Sequence, residues 1–171
     1  MGGHCIPIDP FYLAWIARRE GLPTRFIELA GEINHAMPAY VIARLREAMS
    51  AKGKSLRGAS VLVLGLAYKP DIDDVRESPS FELIELLTTD GARVDYHDPH
   101  VAQTHQMRRY DLNMKSIDLS AAALERYDAV VISTHHSAYD WQMIADNARM
   151  IVDTRGVMRD VRGPRDHIVG A

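Results

Sequence analysis

The chain has 171 residues, 47% hydrophobic and 25% charged, with a net charge of −3 and an isoelectric point near 6.2. That is enough for one ordinary domain with a substantial core, and it gives no general attraction to nucleic acid or to an anionic membrane. A single cysteine excludes an internal disulfide, no apolar run reaches membrane-spanning length, and no basic-plus-apolar leader opens the chain, so the expected location is the cytoplasm.

The first 53 residues carry a helical pattern. Phe11 to Glu20 sets Phe11, Leu13, Ala14, Ile16 and Ala17 on one broad apolar stripe, which Gly21-Leu22-Pro23 ends. Thr24 is placed to cap a second segment, in which Phe26, Ile27, Leu29, Ala30, Ile33, Met37, Tyr40, Val41, Ala43, Leu45 and Met49 recur at helical spacing. Pro38 lies inside that run and predicts a kink, or a break just before it. These helices are too short to make a comfortable domain of their own, so their apolar faces call for further chain or a second subunit.

Beyond Leu56-Arg57-Gly58 the signal changes. Ser60 to Gly65 is a short run of valine and leucine ending in glycine, the composition of a strand buried on both faces. A helix over Ser80–Thr89 follows and Asp90-Gly91 ends it. Ala92–His97 reads as a second strand, Ala121–Arg126 as a helix, Ala129–Ser133 as a third strand, Tyr139–Asn147 as a helix and Met150–Asp153 as the last strand. Alternating strands and helices with continuous apolar strands predict an α/β fold, a Rossmann-like open parallel sheet, preceded by a helical segment. The division expected is 1–53 helical, 54–160 sheet domain, and 161–171 a weakly structured tail. Val101 to Leu119 has the least regular pattern.

Two places carry chemistry. Gly2-Gly3-His4-Cys5-Ile6-Pro7-Ile8-Asp9-Pro10 holds the only thiol behind two glycines, with a carboxylate four residues on, an arrangement suited to a nucleophile with proton transfer beside it. Against this, a lone cysteine is often a small buried hydrophobe, and Asp9 before Pro10 would also serve as a helix cap. The loop after the first strand, Gly65 to Pro79, has no Gly-x-Gly-x-x-Gly, so it lacks the usual pyrophosphate cradle. It does hold Lys69 and Arg76 before Ser78-Pro79, which opens a helix, and cations there suit a phosphate or diphosphate. Asp71, Asp73 and Asp74 in the same loop offer them local salt bridges instead. Arg155 in Asp153-Thr154-Arg155-Gly156 falls at the carboxyl end of the last strand, on the rim where open sheets bind ligands. His97, His100, His135 and His136 fit no zinc spacing and read as solvated or internally satisfied.

Gly2–Pro10, Gly65–Pro79 and Asp153–Gly156, in this order, resemble the nucleotide-sugar 6-dehydrogenases, the UDP-glucose/GDP-mannose dehydrogenase superfamily. The likeness spans Gly2 to about Val157. It implies a helical dimerisation region followed by a Rossmann-like domain that binds the UDP part of the substrate, with an NAD-binding domain expected upstream. Histidine before the cysteine, Ile8 where glucose enzymes carry lysine, and Pro10 after the aspartate resemble the branch acting on UDP-N-acetylglucosamine or UDP-N-acetylmannosamine. The resemblance implies that Cys5 captures the C6 aldehyde as a thiohemiacetal and then a thioester, that Asp9 serves the attacking water, and that two NAD accept the hydrides. It places Gly3, Tyr68, Lys69 and Arg76 on the substrate and Arg155 near substrate or cofactor. A homodimer is implied, and uronic acid supply for surface polysaccharide is the role it suggests. The chain by itself is expected to bind UDP-sugar without turnover, or to be a stand-alone UDP-sugar-binding or dimerisation module.

Overall fold

The computed structural model describes residues 2–3, 5–107 and 109–171. Helix α1 spans Cys5–Arg19 and α2 spans Arg25–Ala51, ahead of β1 (Ser60–Leu64), α3 (Pro79–Thr89), β2 (Arg93–His97), α4 (Ala121–Leu124), β3 (Ala129–Ile132), α5 (Trp141–Asn147), β4 (Ile151–Asp153), a 3₁₀ turn (Val157–Asp160) and β5 (Ile168–Gly170). The strands form one parallel sheet in the order β2-β1-β3-β4-β5. Growth of the sheet therefore reverses after β2. Right-handed crossovers then put α3 on one face and α4 and α5 on the other. The strand residues divide by parity. Val61, Val63, Ala129, Val131 and Val152 pack with α2 and α3, while Leu62, Leu64, Val130, Ile132 and Ile151 pack with α4 and α5.

Four expectations are corrected. The tail expected at 161–171 contains β5, which pairs in register with β4 through Ile168, Val169 and Gly170. The run is only three residues long and half-buried, too short for a sequence pattern to show it. Helix α1 starts at Cys5, so Pro7 takes the first-turn position that tolerates proline and Pro10 falls inside the helix. Asp9 therefore lies within the helix and does not cap it. Thr24 occupies the position before α2, but its hydroxyl does not cap the helix and has no partner. Helix α2 runs unbroken through the buried Pro38, so the break expected just before it does not occur.

The helical segment and the sheet share a core. Val41, Ile42, Leu45 and Met49 of α2 are buried in one cluster with Val61, Val63, Leu83, Leu87 and Val152. The first half of α2 and nearly all of α1 contribute little to it: Trp15, Phe26, Leu29, Ile33 and Tyr40 stay exposed.

At the carboxyl ends of the strands the organising group is Asp98, just after β2 and 3% exposed. One of its oxygens accepts from the Leu66 and Ala67 amides after β1, at 2.6 and 3.0 Å, and from His136 Nε2 after β3, at 3.0 Å. The other accepts from the His100 and Val101 amides. Burial by itself would raise this carboxyl's pKa; the His136 contact and the amide donors outweigh it and hold the value down at about 2.

Two tests follow from this arrangement. Leu45→Ala, which empties a fully buried site on α2, is expected to lower the stability of the whole sheet by about 2–5 kcal/mol in urea denaturation, with α2 and the sheet melting together. Because the folded pKa of Asp98 lies below its usual 3.8, its contribution is complete above about pH 4 and is lost as pH falls toward 2. Asp98→Asn is expected to flatten the stability slope across that window and to lower stability at neutral pH, both read from urea midpoints against pH.

Candidate functional site at the carboxyl edge of the sheet

Open parallel sheets bind ligands where strand order reverses, here between the ends of β1 and β3. The β1 loop leaves the sheet at Gly65, which has φ +85°, and a Cβ there would lie 2.4 Å from the Thr134 carbonyl oxygen. The Thr134 hydroxyl donates to the Ala67 carbonyl at 2.6 Å, joining this loop to the one after β3. The segment 68–74 closes on itself through the Tyr68 amide and the Asp74 carbonyl, at 3.0 Å. Helix α3 then begins with Ser78 as its cap and Pro79 in its first turn, as the Ser78-Pro79 pair predicts. The Ser80 hydroxyl donates to the Gly65 carbonyl and lies 2.7 Å from that of Ser133, so the helix start is bonded to both strand ends.

The N-terminal strip docks onto this loop. The Gly3 amide donates to the Arg76 carbonyl at 3.0 Å. A Cβ on Gly2 would lie 2.3 Å from the Glu77 carbonyl oxygen, and one on Gly3, with φ +90°, would lie 2.8 Å from the Tyr68 ring. Both positions thus need glycine for close approach. Cys5, the first residue of α1, is an exposed free thiol in the neighbourhood of Arg76. Asp9 is exposed one helical turn on, so the thiol and the carboxylate share one face of α1. Ile8, also on that face, borders a cavity of about 270 Å³ with Arg76, Ser78, Phe81, His105 and Tyr110. His4 lies outside the described residues.

The structure therefore brings together Gly3, Cys5, Tyr68 and Arg76, with Asp9 on the same helix face. Lys69 is exposed, its Nζ 5.7 Å from the Tyr68 ring centroid. Arg76 is engaged locally. It grips the Asp74 carboxylate through Nε at 3.0 Å and a terminal nitrogen at 2.6 Å, which lowers the Asp74 pKa and raises its own. Arg155 stands elsewhere on the rim, its Nε donating to the Ser133 carbonyl at 2.5 Å. It borders a larger cavity of about 460 Å³ near the ends of β4 and β5 with Arg159 and Arg165. That space has greater volume, but the smaller one lies one turn from the thiol.

Sequence reasoning passed over the buried His136, treated only as one satisfied histidine among several. Its signal was Asp98-Pro99 directly after a strand, which places a carboxylate at the ligand-binding edge. Asp71, His100 and His136 have donor atoms within 4.8 Å of one another. The set does not suit a metal, because His136 Nδ1 accepts the Asp71 amide at 2.9 Å and Nε2 faces Asp98. Nor does the β1 turn suit an NAD pyrophosphate, since the Leu66 and Ala67 amides that would face it are taken by Asp98.

Comparison with known proteins fits this geometry. Residues 62–160 match the UDP binding domain of the UDP-glucose/GDP-mannose dehydrogenase family, and residues 1–36 match its central domain. UDP-N-acetyl-D-mannosamine dehydrogenase of Pyrococcus horikoshii is 33% identical over 94% of this chain and 36% of its own length. UDP-N-acetyl-D-glucosamine 6-dehydrogenase of Pseudomonas aeruginosa is 30% identical over 95% of this chain and 37% of its own. Among solved structures, the Pyrococcus horikoshii UDP-D-ManNAc dehydrogenase superposes with a TM-score of 0.76 at 30% identity, over 99% of this chain and 38% of that one. NDP-N-acetyl-D-galactosaminuronic acid dehydrogenase of Methanosarcina mazei gives 0.77 at 27% identity, over 100% of this chain and 38% of that one. The chain thus spans little more than a third of the relatives it matches. With both motif-bearing regions matched, the chain belongs to the UDP-glucose/GDP-mannose dehydrogenase family.

Proposed function

We propose that this chain supplies the UDP-binding part and the nucleophilic cysteine of an NAD-dependent UDP-N-acetylhexosamine 6-dehydrogenase. The observation that carries the reading is the docking of Gly2-Gly3 onto Tyr68 and Arg76, which sets the Cys5 thiol against the cationic loop at the switch point of the sheet. In this reading Lys69 takes the diphosphate as a point charge, and Arg76 reaches it while braced by Asp74. Cys5 Sγ adds to the C6 aldehyde carbon as the carbonyl oxygen takes a proton, giving a thiohemiacetal that keeps the aldehyde on the protein. Asp9 accepts a proton from the water that later opens the thioester. Arg155 is assigned a ligand-side role at the neighbouring rim. NAD, as hydride acceptor, would be held outside these residues, because the β1 turn has no free cradle for it. The chain alone is accordingly expected to bind UDP-sugar and not to turn it over.

The exposed face of α1 and α2 is assigned to a homodimer contact in the same reading. Trp15, Phe26, Leu29, Ile33 and Tyr40 present apolar surface that a monomer would leave in water, Phe26 being 89% exposed. No helix among the described residues is long and apolar enough to cross a membrane. A thiol that must stay reduced for chemistry fits the cytoplasm.

Calorimetric titration of the purified chain is expected to show binding of UDP and UDP-N-acetylglucosamine in preference to GDP. Lys69→Ala should weaken it about 10–100-fold, the worth of one charge-assisted contact. Equal affinity for GDP, or indifference to Lys69→Ala, would overturn the assignment. Gly2→Ala is expected to undock the strip, seen as faster hydrogen exchange at the Gly3 amide, while leaving UDP affinity within about threefold. In sedimentation velocity the chain should run as a dimer and Phe26→Glu as a monomer.

A further inference from the structure

The Lys69 loop needs an explanation for its shape. Its base is closed by the Tyr68–Asp74 backbone bond, and at its apex Asp71 sits at φ +60°, a left-handed conformation uncommon for a residue with a side chain. The partners of that apex come from outside the loop. The Asp71 amide donates to His136 Nδ1 at 2.9 Å, and the Asp71 carboxylate accepts from the Ser137 amide at 2.8 Å and its hydroxyl at 3.0 Å. The apex is thereby fastened to the loop after β3.

The His136 ring is fully buried, and its two nitrogens have different duties. An amide donor at Nδ1 requires that nitrogen to be an acceptor, so the proton belongs on Nε2, where Asp98 Oδ2 receives it at 3.0 Å. Asp98 is itself fixed by the amides of Leu66, Ala67, His100 and Val101. A rigid chain of contacts therefore runs from the β2 end, through His136, to the apex of the Lys69 loop. A histidine that only filled space would not require either polarity.

We propose that His136, held by Asp98 with its proton on Nε2, is the positioning residue that sets the Lys69–Arg76 loop for its diphosphate ligand by accepting the Asp71 amide at Nδ1. The ligand arm rests on the UDP-sugar reading above; the other two arms do not.

The test begins with the unmodified chain. Nitrogen-15 NMR of His136 is expected to show a protonated Nε2 and a bare Nδ1; a proton on Nδ1 overturns the proposal without any variant. Asparagine places an oxygen where Nδ1 stood, whereas glutamine reaches the Nε2 position, so two variants separate the two contacts. His136→Asn is expected to keep Asp71 amide exchange and UDP affinity within about threefold of the parent. His136→Gln is expected to speed Asp71 exchange and weaken UDP binding by about tenfold each, the worth of one hydrogen bond. Equal loss in both variants, or unchanged Asp71 exchange in His136→Gln, overturns it. Should the parent chain fail to bind UDP, the ligand assignment falls, while tautomer and exchange still decide the role of His136.

Discussion

The carboxylate of Asp98 is the constraint on which the ligand-binding edge depends. A parallel sheet ends each strand in a loop, and nothing in the ladder itself fixes how three separate loops meet. Here one buried charge draws amides from the β1 turn and from its own turn, and a histidine from the β3 loop. An isolated buried carboxylate would be costly, yet with every donor in place it stays ionised to about pH 2. Satisfying the charge and assembling the site are the same event.

That arrangement also explains what the sheet does not do. In dinucleotide-binding sheets, free amides in the first strand-to-helix turn meet the pyrophosphate. Here the Leu66 and Ala67 amides turn inward to Asp98, and Gly65 is closed over by Thr134. A Rossmann-like topology is retained, but the cationic groups of this loop are the side chains of Lys69 and Arg76. These lie farther out, next to the strip that carries Cys5.

The two parts of the chain are joined unequally. The second half of α2 is as much part of the core as α3, whereas α1 and the start of α2 present apolar side chains outward. The docked glycines and the α2 contacts are thus what hold the cysteine-bearing helix to the sheet. Undocking the glycines would free the cysteine-bearing helix from the 65–79 loop, whereas losing the α2 contacts would also empty part of the shared core.

Strands β1 to β4, helix α3 and the parallel sense of the sheet were legible in the residues, because β1, β3 and β4 are short apolar runs of the kind a sheet buries on both faces. So was the grouping of Gly3, Cys5, Tyr68 and Arg76, since the motifs and their resemblance to a family named them. Strand β5 was not legible: three residues, two half-buried and one exposed, gain their strand form only from β4 beside them. The start of α1 at Cys5 was hidden for a related reason. Two prolines, Pro7 and Pro10, lie three residues apart, and either is acceptable in the first turn of a helix. The local bond of Arg76 to Asp74 was one of the salt bridges that the loop's own residues offered, whereas the place of Arg155 beside Ser133 depends on which loops face each other. His136 shows the limit most plainly. In sequence it is one histidine of eight; in the fold, Asp98 and Asp71 stand on either side of its ring. The sequence by itself determined which residues could carry chemistry and which segments must be buried. Only the tertiary structure decided which of those groups meet, because contacts between loops after different strands are made across the sheet and leave no period in the chain.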